Sequence, residues 1–198
     1  MNWGSVSVDE RQHVMLVNSS YMPLIATLVP RAQAPQTKDI VLDGRAAISP
    51  MLGTPYAVRT ERPFVSLLGI PCNAPPWGLL SAVDLKSRTL LWQRPLGTTR
   101  DHAPLGVPVP GVFNQGGSVM TAGGVAFIAA TLDDYLRAFD VKTGKELWKG
   151  RLPAGGQATP MTYVSAKSGK QLVVIAAGGH QFMKTPISDH IVAFGLPD

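Results

Sequence analysis

One segment of this chain occurs twice and begins a third time. LLSAVDLKSRTLLWQRPL (79–96) and YLRAFDVKTGKELWKGRL (135–152) align without a gap at an offset of 56. Seven positions coincide: Leu80/Leu136, Ala82/Ala138, Asp84/Asp140, Lys86/Lys142, Leu91/Leu147, Trp92/Trp148 and Leu96/Leu152. HIVAFG (190–195) starts a third copy, with Ala193 in the place of Ala138. Self-similarity at a fixed period of this size marks repeated supersecondary units that bury their faces against their neighbours. The units read as all-β, so the expected architecture is a propeller or a related array.

A single unit shows why. From Gly123, GVAFIAAT is an apolar run rich in Val, Phe and Ile, as expected of a buried strand. LDD breaks it, YLRAFDV alternates like a half-buried strand, KTG turns and KELWKGRL returns as a third strand. Thr143-Gly144 supplies turn chemistry, because glycine takes positive φ without steric cost. Asp140, just before that turn, can accept backbone N–H bonds across it. Trp148 offers a large flat surface suited to lying between adjacent sheets. These Asp and Trp positions read as structural: they hold blades together and do not catalyse.

Composition narrows the function classes. A 198-residue chain with 45% hydrophobic content is globular in class. Its 20 Gly and 17 Pro, with few amphipathic helical stretches, favour strands and long loops. No stretch reaches the roughly 18 uninterrupted apolar residues of a membrane span, and no cationic-then-apolar signal opens the chain. Cys72 is the single cysteine, which forbids an intrachain disulfide; in IPCNAPPWG it reads as a packed loop thiol. The net charge of +5 is spread in ones and twos, which speaks against a nucleic-acid partner. His13, His102 and His190 have no second His or Cys at metal-ligand spacing and read as surface or strand residues. No Gly-x-Ser-x-Gly elbow supports a nucleophile. Gly155-Gly156-Gln157 lacks the strand–loop–helix context of a phosphate cradle; it reads as turn structure or as backbone close to a central ligand.

Along the chain, residues 3–17 read as two strands around a turn at Asp9-Glu10-Arg11. From Tyr21 to about Pro75 the sequence is Pro-rich and irregular, with RAQAPQTKDIVLDG as a solvated insertion, a loop long enough to carry function or be disordered. A propeller closes with typically four to eight blades. This chain supplies about two blades and most of a third, and Met1 is followed at once by a strand. The expectation is therefore a C-terminal piece of a longer protein, whose remaining blades are its partners.

At NWGSVSVD, GIPCNAPPWG, TAGGVAFIAATLDDYLRAFDVKTGKELWKGRLPAGGQATPMTY and AAGGH…DHIVAFGLPD the chain resembles the C-terminal part of membrane-bound quinoprotein glucose dehydrogenases. These belong to the pyrroloquinoline quinone (PQQ)-dependent sugar and polyol dehydrogenases, which include quinate dehydrogenases. The Ala-x-Asp-x-x-x-Gly-x-x-x-Trp pattern marks the broad superfamily, whereas LPAGGQATPMTY (152–163) and the closing GGH are narrower. The resemblance implies an all-β, partial propeller: about three of eight four-stranded blades, approximately 1–98, 117–153 and 157–198. It also implies PQQ and a divalent ion, Ca²⁺ or Mg²⁺, on the propeller axis. Further implications are a sugar or polyol substrate oxidised at the periplasmic face of the inner membrane, and electrons passed to ubiquinone through a membrane part this chain does not contain. The catalytic base is expected outside this chain, so the fragment alone is expected to be inactive.

Four residues carry the site expectations. Asn2, with Trp3 beside it in NWG, matches a family position next to the quinone and its metal. An amide offers both a metal-binding oxygen and an N–H donor there; the alternative is a strand-start Asn satisfying backbone groups. His180 of GGH resembles the family's pocket-lining histidine that influences which sugar is accepted, against the alternative of a solvated loop histidine. Asp133 matches a candidate pocket position, or else forms an Asx turn at a strand junction. Asp134 departs from relatives that carry Asn or Tyr. Glucose is the expected substrate because GGH accompanies the sugar-oxidising members; quinate, shikimate or another polyol is the alternative. A non-catalytic propeller scaffold and an inactive truncation are the readings from other classes.

Overall fold

The structure is a computed structural model and describes residues 3–43, 46–61, 64–66, 69–181 and 183–196. In chain order the strands are β1 (Val6–Asp9), β2 (Val14–Ser20), β3 (Ala26–Pro30), β4 (Val41–Asp43), β5 (Ala46–Pro50), β6 (Tyr56–Thr60), β7 (Gly78–Asp84) and β8 (Thr89–Pro95). They continue with β9 (Ser118–Met120), β10 (Val125–Ile128), β11 (Tyr135–Asp140), β12 (Glu146–Arg151), β13 (Met161–Val164), β14 (Gln171–Ala177) and β15 (His190–Gly195). The only helices among the described residues are two 3-10 turns, Arg31–Gln33 and Pro104–Gly106. None is long and apolar enough to cross a membrane.

The strands form two compact units, residues 1–21 with 75–198 and residues 22–74. In the first, every sheet is antiparallel: β1-β2-β7-β8, then β9-β10-β11-β12, then β13-β14-β15. The middle sheet is buried on both faces. Ala126, Ile128, Phe139 and Val141 pack with Val14, Leu16, Leu80, Ala82 and Trp92 of the first sheet. Phe127, Ala129 and Leu136 pack with Val173, Ile175 and Ala177 of the third. The period-2 side-chain alternation of β10 thus feeds two cores at once, which is why GVAFIAAT reads as uninterruptedly apolar. Sheets stacked face to face in chain order are consecutive blades of a partial propeller.

The repeat is legible atom by atom. The Asp84 carboxylate accepts the Lys86 and Ser87 N–H groups at 2.8 and 2.7 Å, and Asp140 accepts the Thr143 N–H and hydroxyl at 2.7 Å. These bonds hold both carboxyls below the usual carboxylate range, with Ser87 and Thr143 as the main causes. A register shift falls between Ala82 and Val83 in the first copy and between Ala138 and Phe139 in the second, so the bulge is repeated too. Trp92 is buried against Gly144 of the next sheet, where a Cβ would lie 2.5 Å from the indole, and its N–H donates to Val141 O at 2.8 Å. Trp148 meets Phe194 of the third sheet edge to face, 5.0 Å between centroids. Both indoles lie between sheets, as their place in the repeat requires.

Residues 22–74 correct the sequence reading. They are not an irregular loop: β3, β6, β5 and β4 form a four-stranded antiparallel sheet in that order, with Ala46 and Ala57 buried. The strands are 3 to 5 residues long and two end in proline, Pro30 and Pro50, so neither periodicity nor length marked them. Cys72 is a second correction: it is exposed rather than packed.

Candidate functional site at the convergent strand ends

The first strand of each sheet, β1, β9 and β13, is an edge strand, and their N-terminal ends meet. The Ser7 and Ser118 hydroxyls are hydrogen-bonded across the first two sheets. Gly4 abuts the Gly116 backbone, Gly116 abuts the Gln157 carbonyl and Gly117 lies against Thr159, contacts that leave no room for a Cβ. Buried Asn18 donates to Asn114 Oδ1 at 2.8 Å and to Gly116 O at 3.2 Å, and Asn114 returns a bond to Ser19 O at 3.0 Å. In an antiparallel sheet the start of the first strand, the second-to-third connection and the end of the fourth lie at one end. Residues 129–134 and 178–189 therefore share this end with Trp3 and Gln157. The sequence did not mark Asn18 and Asn114, which lie outside the repeat, and Gln157 was marked for its backbone, as turn structure or as an approach to a central ligand, and not for its side chain.

Trp3 precedes β1 and is 56% exposed. Asn2 lies outside the described residues. His180 is half-buried; its backbone N–H donates to Thr185 Oγ1 at 2.7 Å and its Nδ1 accepts the Met183 N–H at 3.4 Å. Gly179 beside it takes φ +70°, with the Pro186 carbonyl where a Cβ would stand. Asp133 is fully buried, and its carboxylate is enclosed by protein groups: Arg137 Nη1 at 2.8 Å and Nη2 at 2.5 Å, the Thr98 N–H at 2.7 Å, and the Thr131 hydroxyl at 2.6 Å. Arg137 is 4% exposed and extends the network to Glu146, 3.3 Å away. A chain of contacts, His180–Thr185–Gln157–Thr131–Asp133, connects the two named loop positions.

Asp134 stands in a different environment. Burial pushes its carboxyl above the ordinary range against the pull of Arg151, with Asp101 adding to the rise. Its Oδ1 is buried without a partner among the described residues and its Oδ2 is 3.8 Å from Arg151, which itself pairs with Asp101 at 2.8 Å. His102 Nε2 lies 2.6 Å from Leu132 O, so that nitrogen carries the proton. A carboxyl raised in the native state gives stability that is complete below its unfolded value and lost as pH rises through the folded one. Asp134→Asn is therefore expected to raise the melting temperature at pH 7, with the gain shrinking towards pH 3. Thermal unfolding of both proteins at the two pH values checks this; a lower melting temperature for the variant at pH 7 would show that the Arg151 pairing outweighs burial.

Residues 1–173 match the profile of the PQQ family, the glucose/ethanol/alcohol dehydrogenase β-propeller domain. The chain belongs to this family of PQQ dehydrogenases. It is 49% identical over 207 residues to the probable quinate dehydrogenase (quinone) of Xanthomonas campestris pv. juglandis, covering 100% of this chain and 26% of the relative. It is 47% identical to the quinoprotein glucose dehydrogenase of Escherichia coli (strain K12), covering 99% and 25%. The glycerol dehydrogenase large subunit of Gluconobacter oxydans (strain 621H) is 42% identical, covering 100% and 28%. The chain thus spans about a quarter of the length of the curated relatives it matches. The quinohemoprotein alcohol dehydrogenase of Comamonas testosteroni shares its fold, with a TM-score of 0.57 at 24% identity over 89% of this chain and 22% of that one.

The convergent strand ends offer two groups of the kind a quinone cofactor could use. Trp3 offers an exposed indole, and the buried Gln115 Oε1 beside Gly116 has no partner among the described residues. Among the described residues no group of three His, Cys, Asp or Glu side chains is placed to hold a metal ion.

Proposed function

We propose that this chain is the part of a PQQ-dependent, quinone-acceptor dehydrogenase that closes one side of its pocket over an aldose, with glucose foremost. The observation that carries the reading is the convergence of Trp3, the Gln157 turn and the His180 loop at one end of the stacked sheets, in a chain of this family. Asn2 and Trp3 are the residues proposed to hold the quinone, and Asn2 to contribute to a Ca²⁺ or Mg²⁺ ion. When bound, the quinone supplies the redox chemistry. This chain's groups bind and orient the substrate, through His180 at a hydroxyl. Asp133, its oxygens held by Arg137, Thr98 and Thr131, acts as the pocket wall rather than as a contact group. In this reading the reaction is on the periplasmic side of the membrane and the electrons go to ubiquinone. Quinate as the substrate is the second reading, favoured by the 49% identity to the Xanthomonas relative.

The gene product carrying this chain, supplied with PQQ and Ca²⁺ or Mg²⁺, is expected to change the quinone absorbance on titration and to reduce a dye acceptor with glucose faster than with quinate or glycerol. The isolated 198 residues are expected to reduce none. Failure to oxidise any aldose or cyclic polyol would reject the dehydrogenase reading. The reverse order of glucose and quinate would move the assignment to the second, and an unchanged quinone spectrum would favour a scaffold.

A further inference from the structure

We propose that Thr185 and Gln157 are positioning residues that fix the His180 imidazole, so that it presents Nε2–H as a donor to a substrate oxygen. The proposal rests on the reading of His180 as a pocket residue. Three of the bonds that fasten the 178–189 connection differ in kind: the Gly179 N–H donates to Gly155 O at 2.9 Å, the Ser188 N–H to Gly178 O at 3.1 Å, and the His180 N–H to Thr185 Oγ1 at 2.7 Å. The first two bonds close the loop whatever residue follows Gly179. The third depends on one side chain, and it is the one that acts on His180 itself.

Thr185 and Gln157 are each 3% exposed. The Thr185 hydroxyl accepts from His180 and donates to Gln157 Oε1 at 3.4 Å, while Gln157 Nε2 donates to Thr131 O at 2.8 Å. Both side chains crowd Gly155, where a Cβ would come within 2.6 Å of Gln157 Oε1 and 2.7 Å of Thr185 Oγ1. The hydroxyl is thus used in both directions, and its partner amide is braced on the loop that carries Asp133. At the ring, Nδ1 accepts the Met183 N–H, which puts the proton of a neutral imidazole on Nε2. A backbone anchored on one side and a ring nitrogen engaged on the other leave Nε2–H, which has no partner among the described residues, to an acceptor oxygen of a hydroxylated ligand. Removing the Thr185 oxygen would unpair a buried N–H and a buried amide oxygen together.

The test uses the gene product carrying this chain, loaded with PQQ and a divalent ion, and the substrate that it turns over fastest among glucose, quinate and glycerol. Thr185→Val is expected to raise KM about tenfold, the loss of one well-made buried hydrogen bond, with kcat within about twofold and the quinone titration unaltered. Thr185→Ser, which keeps the oxygen, is expected to restore most of the affinity. In the unmutated protein the His180 amide is expected to be protected from hydrogen exchange, a readout that stands even if Thr185→Val does not fold. An unchanged KM in Thr185→Val, a Thr185→Ser variant as impaired as Thr185→Val, or an unprotected His180 amide would each overturn the proposal. His180→Ala separates the two levels. If it leaves KM unchanged, the pocket reading of His180 falls, and this proposal with it. If it raises KM while Thr185→Val does not, only the positioning role falls.

Discussion

Replacing Arg137 with methionine is expected to destabilise the protein by about 3–5 kcal/mol, the cost of leaving a buried charge without its partner. Asp133 is fully buried, and Arg137 is the only cation in its coordination among the described residues; the Thr98 and Thr131 donors are neutral. Removing the guanidinium also leaves Glu146 without its partner at 3.3 Å, although that carboxylate is half-exposed and water can replace much of the loss. The double variant Asp133→Asn/Arg137→Met is expected to be more stable than Arg137→Met alone, because no buried charge remains and the amide oxygen can still accept from Thr98. Urea unfolding of the three proteins measures this. A single-variant cost under about 1 kcal/mol, typical of exposed pairs, would show that water reaches the pair and that the network linking the two loops is loose.

Trp92→Ala is the second large effect, with an expected loss of about 3–5 kcal/mol from the cavity and the lost apolar contact. Trp92 is 8% exposed, lies across Gly144 of the next sheet, and its N–H satisfies Val141 O, which the alanine would leave unpaired in the core. Trp148 holds the same place in the second copy but is 39% exposed. Trp148→Ala is expected to cost roughly half as much or less, since transfer free energy scales with the apolar area removed from water. Denaturant unfolding of both variants gives the comparison; equal losses would mean that the two inter-sheet contacts are not graded by burial.

How far the sequence anticipates these features depends on whether a residue belongs to the repeat. The 56-residue offset carries the strands, the Asp84 and Asp140 turns and the indole seats, because each copy must present the same faces to its neighbours. Arg88 shows the limit of that regularity. It occupies the place of Gly144 and takes φ +60° where glycine takes +67°, a conformation uncommon for a residue with a side chain. The sheet of residues 22–74 was not legible, because its apolar side chains do not all point inward: Leu28 is 58% exposed and Leu42 81%, which erases the alternation that would have marked strands. Arg137 was equally silent. On a strand it reads as a solvent-facing position, and only the fold brings it opposite Asp133. At the site, GGH and NWG carried meaning through resemblance, whereas Thr185 and Gln157 acquire theirs from a contact 28 residues apart in sequence.

If the proposed function is right, the convergent strand ends of this chain form one wall of a quinone pocket. An experimental structure of the gene product carrying the chain, with PQQ and a substrate analogue bound, tests it directly. The quinone is expected in contact with Trp3, and an analogue hydroxyl within hydrogen-bond distance of His180 Nε2. A quinone bound at the opposite end of the sheets, or an analogue remote from His180, would contradict it.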